Sequence, residues 1–249
     1  MASPARRIFA PLKKDAQPNP APKLQGIVFD MDGTLCEPQT YMFADMRKAL
    51  NIPKTTDVLH HIQSLPPHRQ PAAKEAIRTI ERKAMASQVP QPGLATLMAY
   101  LDDRSVPKAI CTRNFDVPVR HLLDSFLPGS AFHPVVTREF KPPKPDPAGI
   151  LHIAQRWGLA DAKGLIMVGD SIDDMAAGRR AGAATVLLVN SVNATLATHE
   201  YTDLVIGRLD DLVAILENGF EGKDAGQRRR EAMDKEDTDS AFKPTSAAL

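Results

Sequence analysis

Cysteine is nearly absent from this chain: Cys36 and Cys111 are the only two in 249 residues. Two thiols make no disulfide framework and lack the neighbours a thiolate metal site needs, so a reducing intracellular setting fits. Charge of one sign is also missing. A formal net charge of +1 sets up no long-range field towards nucleic acid or an anionic membrane surface. No apolar run approaches the ~18 residues that cross a bilayer, so neither nucleic acid nor membrane is an expected partner. The N-terminus has no apolar signal core, which argues against secretion. Arg6, Arg7, Lys13 and Lys14 there, with no acid before Asp15, leave an organellar presequence open; a solvated arm on a cytoplasmic protein is the expectation. No internal repeat is visible.

What is present is an apolar run that ends in two acids: Ile27-Val28-Phe29-Asp30-Met31-Asp32-Gly33-Thr34-Leu35. A short apolar run bounded by turn residues reads as a buried parallel strand. Ligands bind beyond the carboxyl ends of such strands in an open α/β sheet. The spacing of two lets both carboxylates leave the chain on one side while Met31 points elsewhere. Their mutual repulsion has to be offset by something.

Around this stretch the chain divides by composition. Residues 1–23 hold Pro4, Pro11, Pro18, Pro20 and Pro22 without periodicity and read as a disordered arm. Residues 24–36 and 91–220 alternate strand and helix patterns. Strands are expected over Leu24 to Asp30, Val106–Cys111, Phe132–Thr137, Gly164–Val168, Thr185–Val189 and Asp203–Ile206. Helices are expected over Leu94–Arg104, from Asp116, over Pro147–Trp157, over Asp173 to Ala181 with Gly182 as C-cap, and over Leu209–Leu216. Residues 37–90 show only helical spacing (Met42, Met46 and Leu50; Val58, Ile62 and Leu65; Ile77, Ile80 and Ala84), punctuated by Pro53, Pro66, Pro67, Pro71 and Pro90. Residues 221–249 are charged and poor in apolar residues and read as a disordered tail. The expected fold is therefore α/β, a Rossmann-like parallel sheet sandwiched by helices. Thr112 lies about 50 residues further from Asp30 than a ~30-residue crossover requires. The surplus is the helical block, which makes it a small all-helical cap inserted after the first strand.

Three further strand ends deliver polar residues to the same edge: Thr112, the Lys141–Pro147 loop with Lys144, and Gly169-Asp170 with Asp173 and Asp174 in the next turn. Asp30, Asp32, Asp170 and Asp174 are hard oxygen ligands of the kind that suit Mg²⁺, which binds through one or two carboxylates, waters and substrate phosphate. A divalent ion, a lysine and a hydroxyl make a receptor for a phosphate dianion, and carboxylates can form aspartyl-phosphates. Metal-assisted phosphoryl transfer is the chemistry these residues suggest.

The motifs D-M-D-G-T-L at Asp30–Leu35, Thr112, K-P-D-P at Lys144–Pro147 and G-D-S-I-D-D at Gly169–Asp174 resemble, in order and spacing, the haloacid dehalogenase-like hydrolase superfamily. The resemblance runs over about residues 24–216, and the helical block resembles that superfamily's cap. It implies that Asp30 is the nucleophile and Asp32 the general acid, then base. It implies Mg²⁺ held by the Asp30 carboxylate, the Asp32 backbone carbonyl, Asp170 and Asp174, and substrate phosphate bound by Thr112, the backbone amide of Arg113, Asn114 and Lys144. An aspartate two after the nucleophile looks like the phosphatase and mutase members. The implied function is Mg²⁺-dependent hydrolysis of a small phosphorylated metabolite through an aspartyl-phosphate, by a monomer or weak dimer. A phosphomutase, a protein phosphatase and a non-catalytic phosphate-binding regulator are the rivals. Lys144 is preferred over Lys141, and Asp174 over Asp173, on motif spacing. His60-His61 reads as exposed helix and Trp157 as packing at a helix end. Tyr41, Phe43 and Arg47 either face substrate or belong to the cap itself.

Overall fold

A computed structural model describes residues 6–15 and 17–223. Six strands form one parallel sheet: β2 (Gly26–Phe29), β3 (Lys108–Cys111), β4 (Val135–Val136), β5 (Leu165–Gly169), β6 (Ala184–Leu188) and β7 (Leu204–Ile206), in the order β4-β3-β2-β5-β6-β7. The chain leaves β2 towards β3 and β4 on one side, then returns to build β5, β6 and β7 on the other. That reversal makes the carboxyl end of β2 the switch point, where an open sheet leaves a crevice. In register, Phe29 pairs with Ile110 and with Val168, so the three strand ends that carry Asp30, Thr112 and Asp170 lie abreast.

The strands are apolar throughout because both faces are covered, and successive residues take opposite faces. Ile27, Phe29, Ile110, Ile166 and Val168 pack with Leu94, Leu97 and Leu101 of α4 (Leu94–Asp103), Val119 and Leu122 of α5 (Asp116–Phe126), and Leu212 and Leu216 of α8 (Asp211–Asn218). Val28, Ala109, Cys111, Leu165 and Met167 face the other way, onto Ile150 and Ile153 of α6 (Ala148–Arg156) and Ala177 and Ala181 of α7 (Ile172–Ala181). Gly182 ends α7 with φ 91°, the left-handed C-cap expected of it. Trp157 caps the end of α6; its indole Nε1 donates to the His133 carbonyl at 2.6 Å.

The insertion contains three helices, α1 (Thr40–Leu50), α2 (Val58–Ser64) and α3 (Gln70–Ala86). Their inner faces form a separate small core of Met42, Met46, Val58, Ile62, Ala73, Ile77 and Ala84. The chain enters and leaves this block at one place: Glu37 N–H donates to the Val89 carbonyl at 2.8 Å and Gln91 N–H to the Leu35 carbonyl at 3.0 Å. His60 is an exposed residue of α2 as expected, whereas His61 beside it is half-buried because it turns partly towards the neighbouring cap surface.

The expected disorder of residues 1–23 does not hold for the arm as a whole. β1 (Ile8–Phe9) pairs antiparallel with β8 (Phe220–Glu221). Phe9 is buried, with its ring 5.6 Å from that of Phe220, and Arg6 Nε donates to the Gly222 carbonyl at 2.8 Å. A single apolar pair and two ladder positions are enough to place an arm that has no periodicity of its own. This also moves the start of the expected tail: Glu221 is in a strand and residues 222–223 are placed, while 224–249 lie outside the described residues.

Candidate active site

Asp30 follows β2 directly, and its backbone N–H donates to the Val168 carbonyl at 2.9 Å, continuing the ladder into the turn. Its carboxylate accepts from Lys144 Nζ at 2.6 Å, and the same Nζ donates to Asp174 at 2.5 Å. The lysine is buried between the two acids. Burial works against the Lys144 charge, but Asp174 and Asp30 outweigh it and push its pKa well above the usual lysine range. Asp30, Asp170 and Asp174 each offer a carboxylate oxygen within 4.8 Å of the others.

That crowding shows in the protonation of the acids. Burial first, then Asp174, pushes Asp170 up to about 7. Burial also raises Asp30, with Asp174 and Asp170 adding to it against Lys144. Three carboxylates gathered this closely, with Asp30 and Asp170 both resisting ionisation, fit a hard divalent cation, which supplies the missing positive charge and inverts these shifts.

Asp32 points elsewhere. Its carboxylate accepts from Asn114 Nδ2 at 2.9 Å. Burial holds its pKa above the usual carboxylate range, against the opposing effects of Asn114, Lys144 and Arg138. Gly33 turns the chain behind it with φ 87°; a Cβ there would come within 2.2 Å of an Asp170 oxygen. No side chain larger than hydrogen fits between the two acidic loops.

Thr112 ends β3, buried, with its Oγ1 accepting from the Asn114 N–H at 3.1 Å. The side chains of the two remaining residues of that loop are engaged by other protein groups. Asn114 donates to Asp32 and accepts from the Phe115 N–H at 2.7 Å, so its amide positions Asp32. The Arg113 side chain reaches Asp173 on α7 and Asp57 at the start of α2, joining the core to the cap. Of the paired candidates, Asp174 and Lys144 are buried at the cluster, whereas Asp173 pairs with Arg113 and Lys141 is exposed. Ser171 and Asp174 form a reciprocal capping box at the start of α7, which fixes the direction of Asp174.

Several contributors went unread in the sequence. Asn193 Nδ2 donates to the Asp170 backbone carbonyl at 2.7 Å and Asn190 Nδ2 to its carboxylate at 3.3 Å; their only local signal is a polar pair after an apolar strand. Arg138 donates to the Arg113 carbonyl at 2.7 Å and to Glu81 of α3 at 2.6 Å. Nothing local marks this second link between cap and core, because its partners come from distant segments.

Glu81 is 2% exposed, and burial pushes its carboxyl from 4.5 up to about 7 despite Arg138. The native carboxyl therefore keeps its proton to higher pH than the unfolded one. The folded state binds more protons between those two values, and stability falls as pH rises from about 4.5 to about 7. Glu81→Gln cannot ionise and should flatten that fall. Thermal unfolding at about pH 5 and about pH 7 measures it, and an unchanged slope would assign the loss to other groups.

Above the acids lies a cavity of about 660 Å³ between core and cap. Phe43 and Arg47 line it, which settles their open orientation. Tyr41 instead meets Ser87 through its hydroxyl, at 3.0 Å.

The profile of the family described as haloacid dehalogenase-like hydrolase matches residues 24–182. An uncharacterized hydrolase of Saccharomyces cerevisiae is 46% identical over 198 residues, which cover 78% of this chain and 90% of that protein. A phosphoglycolate phosphatase of Pseudomonas putida is 33% identical over 127 residues, 50% of this chain and 45% of that one. The crystal structure of a hydrolase from Pseudomonas syringae, 22% identical, superposes with a TM-score of 0.63 over 78% of this chain and 98% of its own.

Proposed function

The chain belongs to the haloacid dehalogenase-like hydrolases, and from that premise we propose that it is a Mg²⁺-dependent phosphatase acting on a small phosphomonoester through an aspartyl-phosphate. The observation that carries this reading is the Lys144 ammonium held between Asp30 and Asp174, with Asp32 turned away onto Asn114. One acid is held in a charged cluster fit for nucleophilic attack. In the other, burial favours the protonated form.

In this reading an Asp30 oxygen attacks phosphorus and the ester P–O bond breaks. Asp32 gives its proton to the departing oxygen, which leaves as an alcohol. Asp32, now a carboxylate, takes a proton from water as that water attacks the phosphoryl group, and the bond to Asp30 breaks to release inorganic phosphate. Lys144 and the Thr112 hydroxyl hold phosphoryl oxygens. Asn114 keeps Asp32 in place for both proton transfers. Asp30, Asp170, Asp174 and the Asp32 backbone carbonyl would hold Mg²⁺, which neutralises charge on the phosphoryl oxygens.

Phosphate release from a panel of phosphorylated metabolites, with Mg²⁺ and with a chelator, tests the proposal. Release that requires the cation is the expected outcome. No release from any ester or from acetyl phosphate, with Mg²⁺ present, would overturn it.

A further inference from the structure

The chemistry above leaves open which alcohol departs, and the walls of the cavity bear on that. Exposed large apolar side chains are few among the described residues. Three of them, Phe43 (45% exposed), Ile172 (40%) and Val192 (73%), line this one cavity. They come from both jaws: Phe43 from α1 of the cap, Ile172 from the first position of α7, and Val192 from the loop after β6. Apolar side chains left in water on two facing surfaces mark a place where something apolar is meant to sit.

The charges of the cavity point the same way. Its lining has seven carboxylates and four cations. Arg113 is paired with Asp57 and Asp173, Arg138 with Glu81, and Lys144 with Asp30 and Asp174. A divalent cation and the phosphate dianion cancel each other, and even with Asp32 protonated and Glu81 held up to about 7 the remaining carboxylates outnumber the cations. A second anionic group on the substrate would then be repelled, with Arg47 the one lining cation among the described residues that has no carboxylate partner to receive it. A two-carbon acid such as glycolate would also leave most of about 660 Å³ unfilled.

Resting on the phosphatase reading, we infer that the leaving group is an uncharged alcohol with a ring-sized apolar body, gripped between Phe43 of the cap and Ile172 and Val192 of the core. Phosphate is bound below it at Lys144. The apolar body is enclosed between cap and core, so its burial contributes to transition-state binding in a way that a small acid cannot reproduce.

The test compares kcat/KM of the full chain with Mg²⁺ for 3-phenylpropyl phosphate, glycerol 3-phosphate and phosphoglycolate. Acetyl phosphate reports the phosphoryl chemistry alone. The phenylpropyl ester should be preferred over phosphoglycolate by at least about tenfold. A Phe43→Ser, Val192→Ser double variant should lower the ratio of phenylpropyl to glycerol ester about tenfold, and Phe43→Leu, Val192→Ile should restore it. Both positions are exposed, so the polar variants leave the core intact. Preference for phosphoglycolate, or a ratio that the double variant does not move, would overturn the inference while acetyl phosphate hydrolysis left the phosphatase reading standing. Failure to hydrolyse acetyl phosphate and all three esters would overturn both.

Discussion

Asp30→Asn is expected to lower Mg²⁺-dependent phosphate release by at least about a thousandfold, because an amide oxygen is a poor nucleophile and no phosphoryl-enzyme can form. The protein should stay folded. The asparagine carbonyl can still accept from Lys144, whose Nζ lies 2.6 Å from the Asp30 carboxylate, and the substitution removes a charge rather than a volume. The sign of the stability change follows from the raised pKa of Asp30, caused by burial and by Asp174 and Asp170. A carboxyl whose native pKa is above its unfolded value costs stability as pH rises between the two. A group that cannot ionise escapes that cost, so at neutral pH without a cation the variant should melt no lower than the parent. Phosphate release and a thermal melt, run on the same preparation, check both halves. Near-normal turnover would remove Asp30 as the nucleophile, and a much lower melt would mean that its charge holds the loop together.

The second large effect belongs to Lys144. Its side chain is 3% exposed and donates to two buried acids at once. Truncation to methionine keeps most of the stem and removes the charge, leaving Asp30 and Asp174 facing each other without compensation. Breaking a buried pair in this way typically costs about 3–5 kcal/mol. The lysine pKa is raised in the fold. Its stabilising effect is therefore complete below the unfolded value of 10.5 and lost only as pH rises through the native one, so the whole loss appears at neutral pH. Urea unfolding of Lys144→Met with a chelator should show it. Mg²⁺ should restore part of that loss, and restore more in the variant than it adds to the parent, because a cation among Asp30, Asp170 and Asp174 replaces the charge that was removed. Equal losses with and without Mg²⁺ would show that no cation binds among these acids.

Much of the site is legible in the amino-acid sequence. Asp30, Thr112, Lys144, Asp170 and Asp174 each follow an apolar run or sit in a proline-stiffened loop, and strand ends are where an open parallel sheet collects functional groups. Lys144 over Lys141 and Asp174 over Asp173 could be told apart from spacing, since position in a turn decides which way a side chain points. The helical insertion was visible as a block with 3.6-residue spacing in a chain that otherwise alternates strand and helix.

Other features had no local signal. The pairing of Phe9 with Phe220 joins the two ends of the described chain, and a short strand with one buried residue has no pattern to read. Asn114 looked like part of a phosphate loop. That its amide donates to Asp32, far away in sequence, had no local signal. The links from Arg113 to Asp57 and from Arg138 to Glu81 depend on how the insertion is set over the sheet.

By itself, then, the amino-acid sequence determined the α/β class, the inserted helical block and the list of acids, lysine and hydroxyl that meet at one sheet edge. Strand periodicity and turn chemistry are local, and the order of motifs is carried in the chain. The tertiary structure alone decided which acids share Lys144, which one stands apart on Asn114, and which apolar side chains of cap and core face each other across the cavity. Those outcomes rest on distances between segments, and on burial that shifts pKa values only once the segments have met.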